Sequence, residues 1–195
     1  MTPPKEPAVP ITVLTLVGSL RAGSTNRALA QAVAHHAPPG VDVVVFEGLG
    51  ELPFYNDDLQ EAGAPASVVA LREAVLAADA VLLVTPEYNG GLPAVLGTAI
   101  DWISRPYNVG AVRGVPAAVI GTALGRSGGT RAQEIGRRAL SIAGAHVLDA
   151  EFLAVPGSSK RYAELHPRDD ADVERGAAAV LSALAAAAEL ARVPA

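Results

Sequence analysis

The sequence predicts one α/β domain, a doubly wound three-layer sandwich around a five-stranded parallel sheet ordered 2-1-3-4-5. Three observations carry this. Strand-like and helix-like segments alternate five times along the chain. The strand segments are near-continuous aliphatic runs, such as ITVLTLV at 11–17 and AVLLVT at 80–85, which suits strands covered on both faces. Turns rich in glycine, serine and proline follow the first, third and fourth runs. A parallel return needs a crossover and a helix supplies it, so strict alternation implies helices on both sides of a parallel sheet.

Taken in order, residues 1–10 hold four prolines and read as a disordered tail, with 11–195 as the single domain. The first strand is 11–17. A helix over 24–37 follows, with Leu29, Ala32 and Val33 on one face and Ser24 as N-cap; Pro38, Pro39 and Gly40 end it. A second strand at 41–46 leads into a long polar loop that runs to Pro65. Val68, Leu71, Val75 and Ala78 set a helical period over 67–78. The third strand, 80–85, is stopped by Pro86. A helix over 92–104 carries Val95, Leu96, Ala99, Ile100 and Ile103. The fourth strand is 115–121, the next helix 131–143, and a short fifth strand 145–148. A polar segment from Pro156 to Pro167 precedes an Ala-rich helix over about 170–191, apolar all round and so expected to dock on the sheet or a neighbouring subunit.

Composition narrows the function. Of 195 residues half are hydrophobic and 18% charged, enough for a packed core and against disorder. The net charge of -5 gives no reason to expect nucleic acid or an anionic membrane as partner. With no cysteine, disulfides, thiolate nucleophiles and Cys-ligated metals are excluded. The first ten residues lack the apolar core of a signal peptide. The longest apolar stretch, 177–188, is interrupted by Ser182 and too short for a bilayer core of about 30 Å. A soluble cytoplasmic protein is expected. His35, His36, His146 and His166 show no metal-binding spacing, and Trp102 reads as a packing or subunit-contact residue.

The turn at 18–26, GSLRAGSTN, joins the first strand to the first helix. Ligands of such sheets bind at the carboxyl ends of the strands where the order reverses. A helix N-terminus there offers free N–H groups and the positive end of the dipole. Ser19, Ser24, Thr25 and Asn26 add neutral donors, and Arg21 adds a planar fork suited to phosphate. The turn has neither Gly-x-Gly-x-x-Gly nor Gly-Lys-Ser/Thr, so a terminal monophosphate suits it better than a dinucleotide pyrophosphate or a nucleoside triphosphate. After the third strand, Pro86, Glu87, Tyr88, Asn89 and Gly90 form an irregular loop beside it. After the fourth, Ser127, Gly128 and Gly129 expose backbone amides ahead of a helix.

These residues resemble a known family. Gly18-Ser19-Leu20-Arg21 with Ser24 and Asn26, Pro86-Glu87-Tyr88-Asn89, Ala99-Ile100-Asp101-Trp102 with Ser104 and Arg105, and Gly128-Gly129 before Arg131-Ala132-Gln133 look like the NADPH-dependent FMN reductases, a flavodoxin-like group that includes quinone, chromate and azo-dye reductases. The resemblance implies FMN, with Ser19, Arg21, Ser24 and Asn26 holding its phosphate and Leu20 and Thr25 as further cofactor-binding residues of the same turn. Pro86 to Gly90 would edge the isoalloxazine ring, and Ser127 to Gly129 would meet its pyrimidine end. It also implies NADPH or NADH as reductant, a small-molecule electron acceptor, and a homodimer or homotetramer. The sequence departs from the family after Pro93: Ala94 replaces a common glycine, and Gly97 and Thr98 stand where lysine and asparagine are usual.

Hydride transfer through a flavin is the cofactor's chemistry, with the protein supplying position and electrostatics. That agrees with a sequence in which no acid–base or nucleophile constellation stands out; Glu87 reads as a solvated or structural carboxylate, and no catalytic side chain is expected. A non-enzymatic FMN electron carrier and a sensory flavoprotein are the alternatives.

Overall fold

The computed structural model describes residues 9–150 and 152–193. Five parallel strands lie in the order β2-β1-β3-β4-β5, with β6 also paired to β4. They are β1 (Ile11–Val17), β2 (Val41–Val45), β3 (Ala80–Thr85), β4 (Pro116–Thr122), β5 (His146–Val147) and β6 (Ala154–Val155). The helices are α1 (Thr25–His35), α2 (Asp57–Glu61), α3 (Ala66–Ala77), α4 (Ala94–Ile103), α5 (Thr130–Ile142), α6 (Ser158–Arg161) and α7 (Ala171–Arg192). The predicted strand order stands.

The alternation of side chains along each strand divides the interior in two. Ile11, Val13 and Val17 of β1 join Leu82 and Val84 of β3 and Ile120 of β4 under α1 and α7. Leu14 and Leu16, Val81 and Leu83, and Val119 face the other way, under α3, α4 and α5. Every residue of β3 and β4 is buried, and each fully buried Val or Leu contributes roughly 1.5–3 kcal/mol. Gly121 marks the tightest approach of these strands, because a Cβ there would stand 2.1 Å from the Thr85 carbonyl oxygen.

The ends of the long elements move by at most two residues from their sequence positions, as element ends commonly do. Four differences go further. The polar loop before Pro65 contains a 3₁₀ turn at Gly48–Glu51 and the helix α2, which Asn56 caps through Asp58 N–H at 2.8 Å. The fifth strand shortens to two residues. A second two-residue segment, β6, then takes its place along the upper half of β4, with Gly121↔Ala154 and Thr122↔Val155 in register. The polar segment before α7 contains α6 and a 3₁₀ turn at Pro167–Asp169.

Helix α7 docks on the sheet through one face, Val173, Gly176, Ala177, Val180, Leu181, Leu184 and Ala188, which keeps the 3.6-residue period. At its far end Arg192 pairs with Asp79 at 2.7 Å and donates to the carbonyls of Val9 and Pro10. Apart from those two residues, the expected N-terminal tail lies outside the described residues. Trp102 is wholly buried and serves packing: its Nε1–H donates to Pro53 O at 2.8 Å, and its ring meets Tyr55 edge-on at 4.8 Å. Arg72, whose pKa burial pushes down, donates twice to the Trp102 carbonyl, at 3.1 and 3.0 Å.

Candidate cofactor site

The first loop leaves the sheet at Gly18, whose N–H donates to Val84 O at 2.9 Å. Glycine suits the close packing here, since a Cβ would lie 2.6 Å from Leu96 Cδ1 and 3.1 Å from Pro86 Cδ and would force these side chains to shift. The chain turns back as Ser24 N–H donates to Arg21 O at 3.0 Å, and Ser24 Oγ then accepts from Arg27 N–H at 3.3 Å to cap α1. The amides of Thr25 and Asn26, in the first turn, have no partner within the helix and open outward. Asn26 is buried and double-bonded to the end of β4: Nδ2–H donates to Thr122 O at 2.9 Å, and Oδ1 accepts from Thr122 N–H at 3.0 Å. Its side chain thereby fixes the first loop to the third, while its backbone N–H remains for a ligand.

The second loop is a tight hairpin. Tyr88 and Gly91 exchange backbone hydrogen bonds of 3.2 and 2.9 Å. Between them Asn89 (φ 53°) and Gly90 (φ 76°) are both left-handed, as the turn geometry requires. Tyr88 Oη lies 3.5 Å from Ser19 Oγ, which ties this hairpin to the first loop. The Glu87 Oε2 atom is buried, and no donor among the described residues reaches it.

The third loop follows Thr122. Gly128 (φ 63°) and Gly129 (φ 86°) are left-handed, and a Cβ on Gly128 would fall 2.7 Å from the Ala154 carbonyl carbon. The glycine therefore lets this loop lie flat on β6. Gln133, wholly buried on α5, reaches Gly128 O at 3.5 Å and Leu153 O at 3.4 Å. Gly157 N–H donates to Gly125 O at 3.2 Å and Ser158 N–H to Ala123 O at 3.0 Å, so the segment after β6 is bound to the third loop.

The three loops enclose one cavity of about 300 Å³. Of the predicted residues, Ser19, Arg21, Ser24, Thr25 and Asn26 line it from the first loop, Pro86, Glu87 and Tyr88 from the second, and Ser127 from the third. Leu20 points away, over the 3₁₀ turn at Gly50. Asn89 and Gly90 form the tip of the hairpin, while Gly128 and Gly129 shape the third loop from behind the wall. Thr122, Ala123, Leu124, Gly125 and Ser158 also line the cavity and are absent from the sequence-based set. Arg21 is the one cation on the wall among the described residues.

Behind Ser158 stands a charged cluster. The Asp170 carboxylate, 4% exposed, accepts from Arg161 Nε and Nη2 at 2.5 and 2.6 Å, from Tyr162 Oη at 3.2 Å and from Asp172 N–H at 3.0 Å. The Arg161 bonds hold the Asp170 carboxyl below the ordinary carboxylate range. Burial, reinforced by Asp170, pushes the Tyr162 phenol up.

The donor set fits a flavin mononucleotide. Hydroxyls, open helix amides and a guanidinium gather at one end, as a phosphate needs. Pro86, Ala123 and Leu124 offer apolar wall, and the orphaned Glu87 oxygen awaits a donor. The volume lies at the small end of ligand sites, roughly 300–1,000 Å³.

The sequence profile of the NADPH-dependent FMN reductases matches residues 11–160. The chain is 42% identical over 152 residues to an NAD(P)H-dependent FMN reductase of Pseudomonas aeruginosa, covering 78% of this chain and 81% of that protein. It is 39% identical over 143 residues to a quinone reductase of Escherichia coli, covering 72% and 76%. Among solved structures, the flavoenzyme NAD(P)H:(acceptor) oxidoreductase of Paracoccus denitrificans aligns with a TM-score of 0.68 at 34% identity, over 85% of this chain and 97% of that one. With three quarters of its length inside the family profile, and with the loops that the profile spans converging on one cavity, the chain belongs to the NADPH-dependent FMN reductase family.

Proposed function

We propose that this protein is an FMN-dependent NAD(P)H oxidoreductase whose electron acceptor is a small molecule: a quinone, an azo compound, a metal oxyanion or a free flavin. The observation that carries the reading is the convergence of the three strand-end loops on one cavity with phosphate donors at one end and apolar wall beside them. Bound FMN supplies the hydride chemistry at its N5, with NADPH or NADH and the oxidant taking the same place in turn.

The chain's own residues bind and orient. Arg21, Ser19, Ser24 and Thr25, with the α1 amides, hold the phosphate, where a charged hydrogen bond is worth about 1.5–3 kcal/mol. Asn26 keeps the first and third loops in register by its clamp on Thr122. Pro86 and the Tyr88 hairpin would border the ring, with the unpartnered Glu87 Oε2 beside it open to a ligand donor. Ser127 and the amides ahead of α5 would meet its pyrimidine end. No side chain of this set is required as an acid or base, because position and electrostatics are the protein's share.

A homodimer or homotetramer is part of the proposal. It is supported by apolar side chains in water on and beside α4 and α5: Ile142 is 78% exposed, Tyr107 79% and Val109 72%. Sedimentation of the purified protein tests it, and a monomer at micromolar concentration counts against it. A cytoplasmic location is proposed as well, tested by cell fractionation. No helix of the described residues is long and apolar enough to cross a membrane.

The decisive experiment is spectroscopic. Purified protein, as isolated or after incubation with FMN, should show the flavin absorption bands, and anaerobic mixing with NADPH or NADH should bleach them rapidly. Protein that cannot be loaded with FMN overturns the reading; loaded protein that bleaches only slowly is a carrier or a sensor.

A further inference from the structure

Ser158 is 2% exposed and lines the cavity from a segment that carries none of the predicted binding residues. Its backbone groups are both engaged, N–H to Ala123 O at 3.0 Å and C=O from Tyr162 N–H at 3.0 Å. No hydrogen bond among the described residues takes its hydroxyl. A hydroxyl that a buried residue turns to a cavity wall, without a protein partner, marks a contact that a ligand completes.

Its position comes from elsewhere in the fold. Gly157 (φ 63°) starts the single turn of α6, and Arg161 N–H closes that turn on Gly157 O at 2.9 Å. The Arg161 guanidinium then grips Asp170 by two hydrogen bonds and Asp172 by a third at 2.6 Å. Asp170 is itself the N-cap of α7, and α7 is anchored in the core by Val173 and Ala177, both wholly buried. A continuous path thus runs from the core through α7, Asp170 and Arg161 to Ser158. The far side of α6 shows which part of the cavity it serves. Tyr162 shares a second groove with Ser24 and Thr25, the residues that open the phosphate end of the cavity.

We propose that Ser158 is a further phosphate-binding residue of the flavin site, and that the Arg161–Asp170 pair is the positioning latch that holds it there. The proposal rests on the FMN reading above. The hydroxyl donates to a phosphate oxygen, and the planar guanidinium fork, gripping both carboxylate oxygens, fixes α6 in a way a lysine cannot. Both latch residues, and the Tyr162 and Asp172 that bond to them, lie beyond residue 160, where the family profile ends. The latch therefore sets how firmly this chain keeps a flavin whose other contacts lie inside that profile.

The test measures dissociation constants of FMN and of riboflavin, by quenching of flavin fluorescence, on apoprotein of the wild type, Ser158→Ala, Arg161→Lys and the double variant. Thermal melting of each apoprotein runs alongside. Ser158→Ala should weaken FMN about tenfold, the effect of one hydrogen bond to a charged group, and leave riboflavin within twofold. Arg161→Lys should weaken FMN by a similar factor, and the double variant should be no weaker than the worse single one, since both changes act on one contact. Arg161→Met extends the series if it folds; the lysine variant keeps the charge and suffices if it does not. The proposal is overturned if Ser158→Ala binds FMN as the wild type does, if it weakens riboflavin equally, or if the two substitutions add. Lowered melting temperature with unchanged FMN affinity in Arg161→Lys reduces the pair to a structural role and overturns the latch. Wild type that binds no FMN defeats the underlying reading instead, so the two failures are distinguishable.

Discussion

At the scale of single residues, Arg21 and Asn26 show how two neighbours in one motif divide their work. Arg21 is exposed on the cavity wall with no acidic partner among the described residues, so its guanidinium is available to an anion. Arg21→Ala should weaken FMN by about tenfold or more, the low end for a charged hydrogen bond, and leave riboflavin unaffected; equal losses for both ligands would remove Arg21 from the phosphate. Asn26 is the opposite case. Its amide is consumed by Thr122, so Asn26→Ala leaves a buried N–H and C=O unpaired and should cost roughly 1–3 kcal/mol in urea unfolding of the apoprotein. An apoprotein of unchanged stability would refute the clamp. The motif itself was legible in the sequence, but this division was not. Asparagine after a serine cap reads as a donor at a helix start, and only the strand order brings Thr122 within reach. Thr122 and Ser158 escaped for related reasons: one stands just past the expected fourth strand, in a loop read for its glycines, and the other sits in a polar stretch with no period.

At the scale of elements, the legible ones have length and rhythm. The periods of α3 and α4 and the aliphatic runs of β1, β3 and β4 each span six or more residues, long enough for a pattern to outweigh chance. The fifth strand was legible by position although only two residues of it pair, whereas the two-residue β6 and the four-residue α6 have no room for a period. The segment β6 forms because the upper half of β4 offers free backbone groups, which the Leu153 and Val155 carbonyls fill by accepting from Gly121 N–H at 3.1 Å and Ala123 N–H at 3.2 Å. The junction of α6 with α7 has a measurable signature in acid. The folded-state pKa of Asp170 is depressed by Arg161, from an ordinary value of about 3.9. Its stabilising contribution is therefore complete above that value and is lost as pH falls through the lower, folded one. The wild type should exceed Asp170→Asn in unfolding free energy at neutral pH, and the gap should close below about pH 4. A gap that stays constant with pH would mean the carboxylate charge contributes nothing.

At the scale of the whole molecule, the sheet order decides where chemistry can occur. Placing β1 between β2 and β3 sends one crossover to each side, and the crevice opens above the ends of β1, β3 and β4. The cavity lies there, between elements anchored in two separate cores. Ligand and fold are consequently linked: FMN at a hundred times its dissociation constant should add about 2.7 kcal/mol, a rise in melting temperature of roughly 5–10 °C for a chain of this size. A melting temperature indifferent to FMN would place the flavin outside the folded core of the site.

The division of the fifth strand has a further consequence, for colloidal behaviour. A sheet margin is a template on which another polypeptide can grow, and proteins commonly interrupt such margins. On the β5 side an incoming strand meets two residues of β5, then a departure from the sheet, then two residues of β6, so no long row of amides is offered to it. The opposite margin is β2, five unbroken residues with Asp42 and Val44 facing water. Misassembly of this protein at high concentration is therefore directed to β2, where the single charge of Asp42 is the guard.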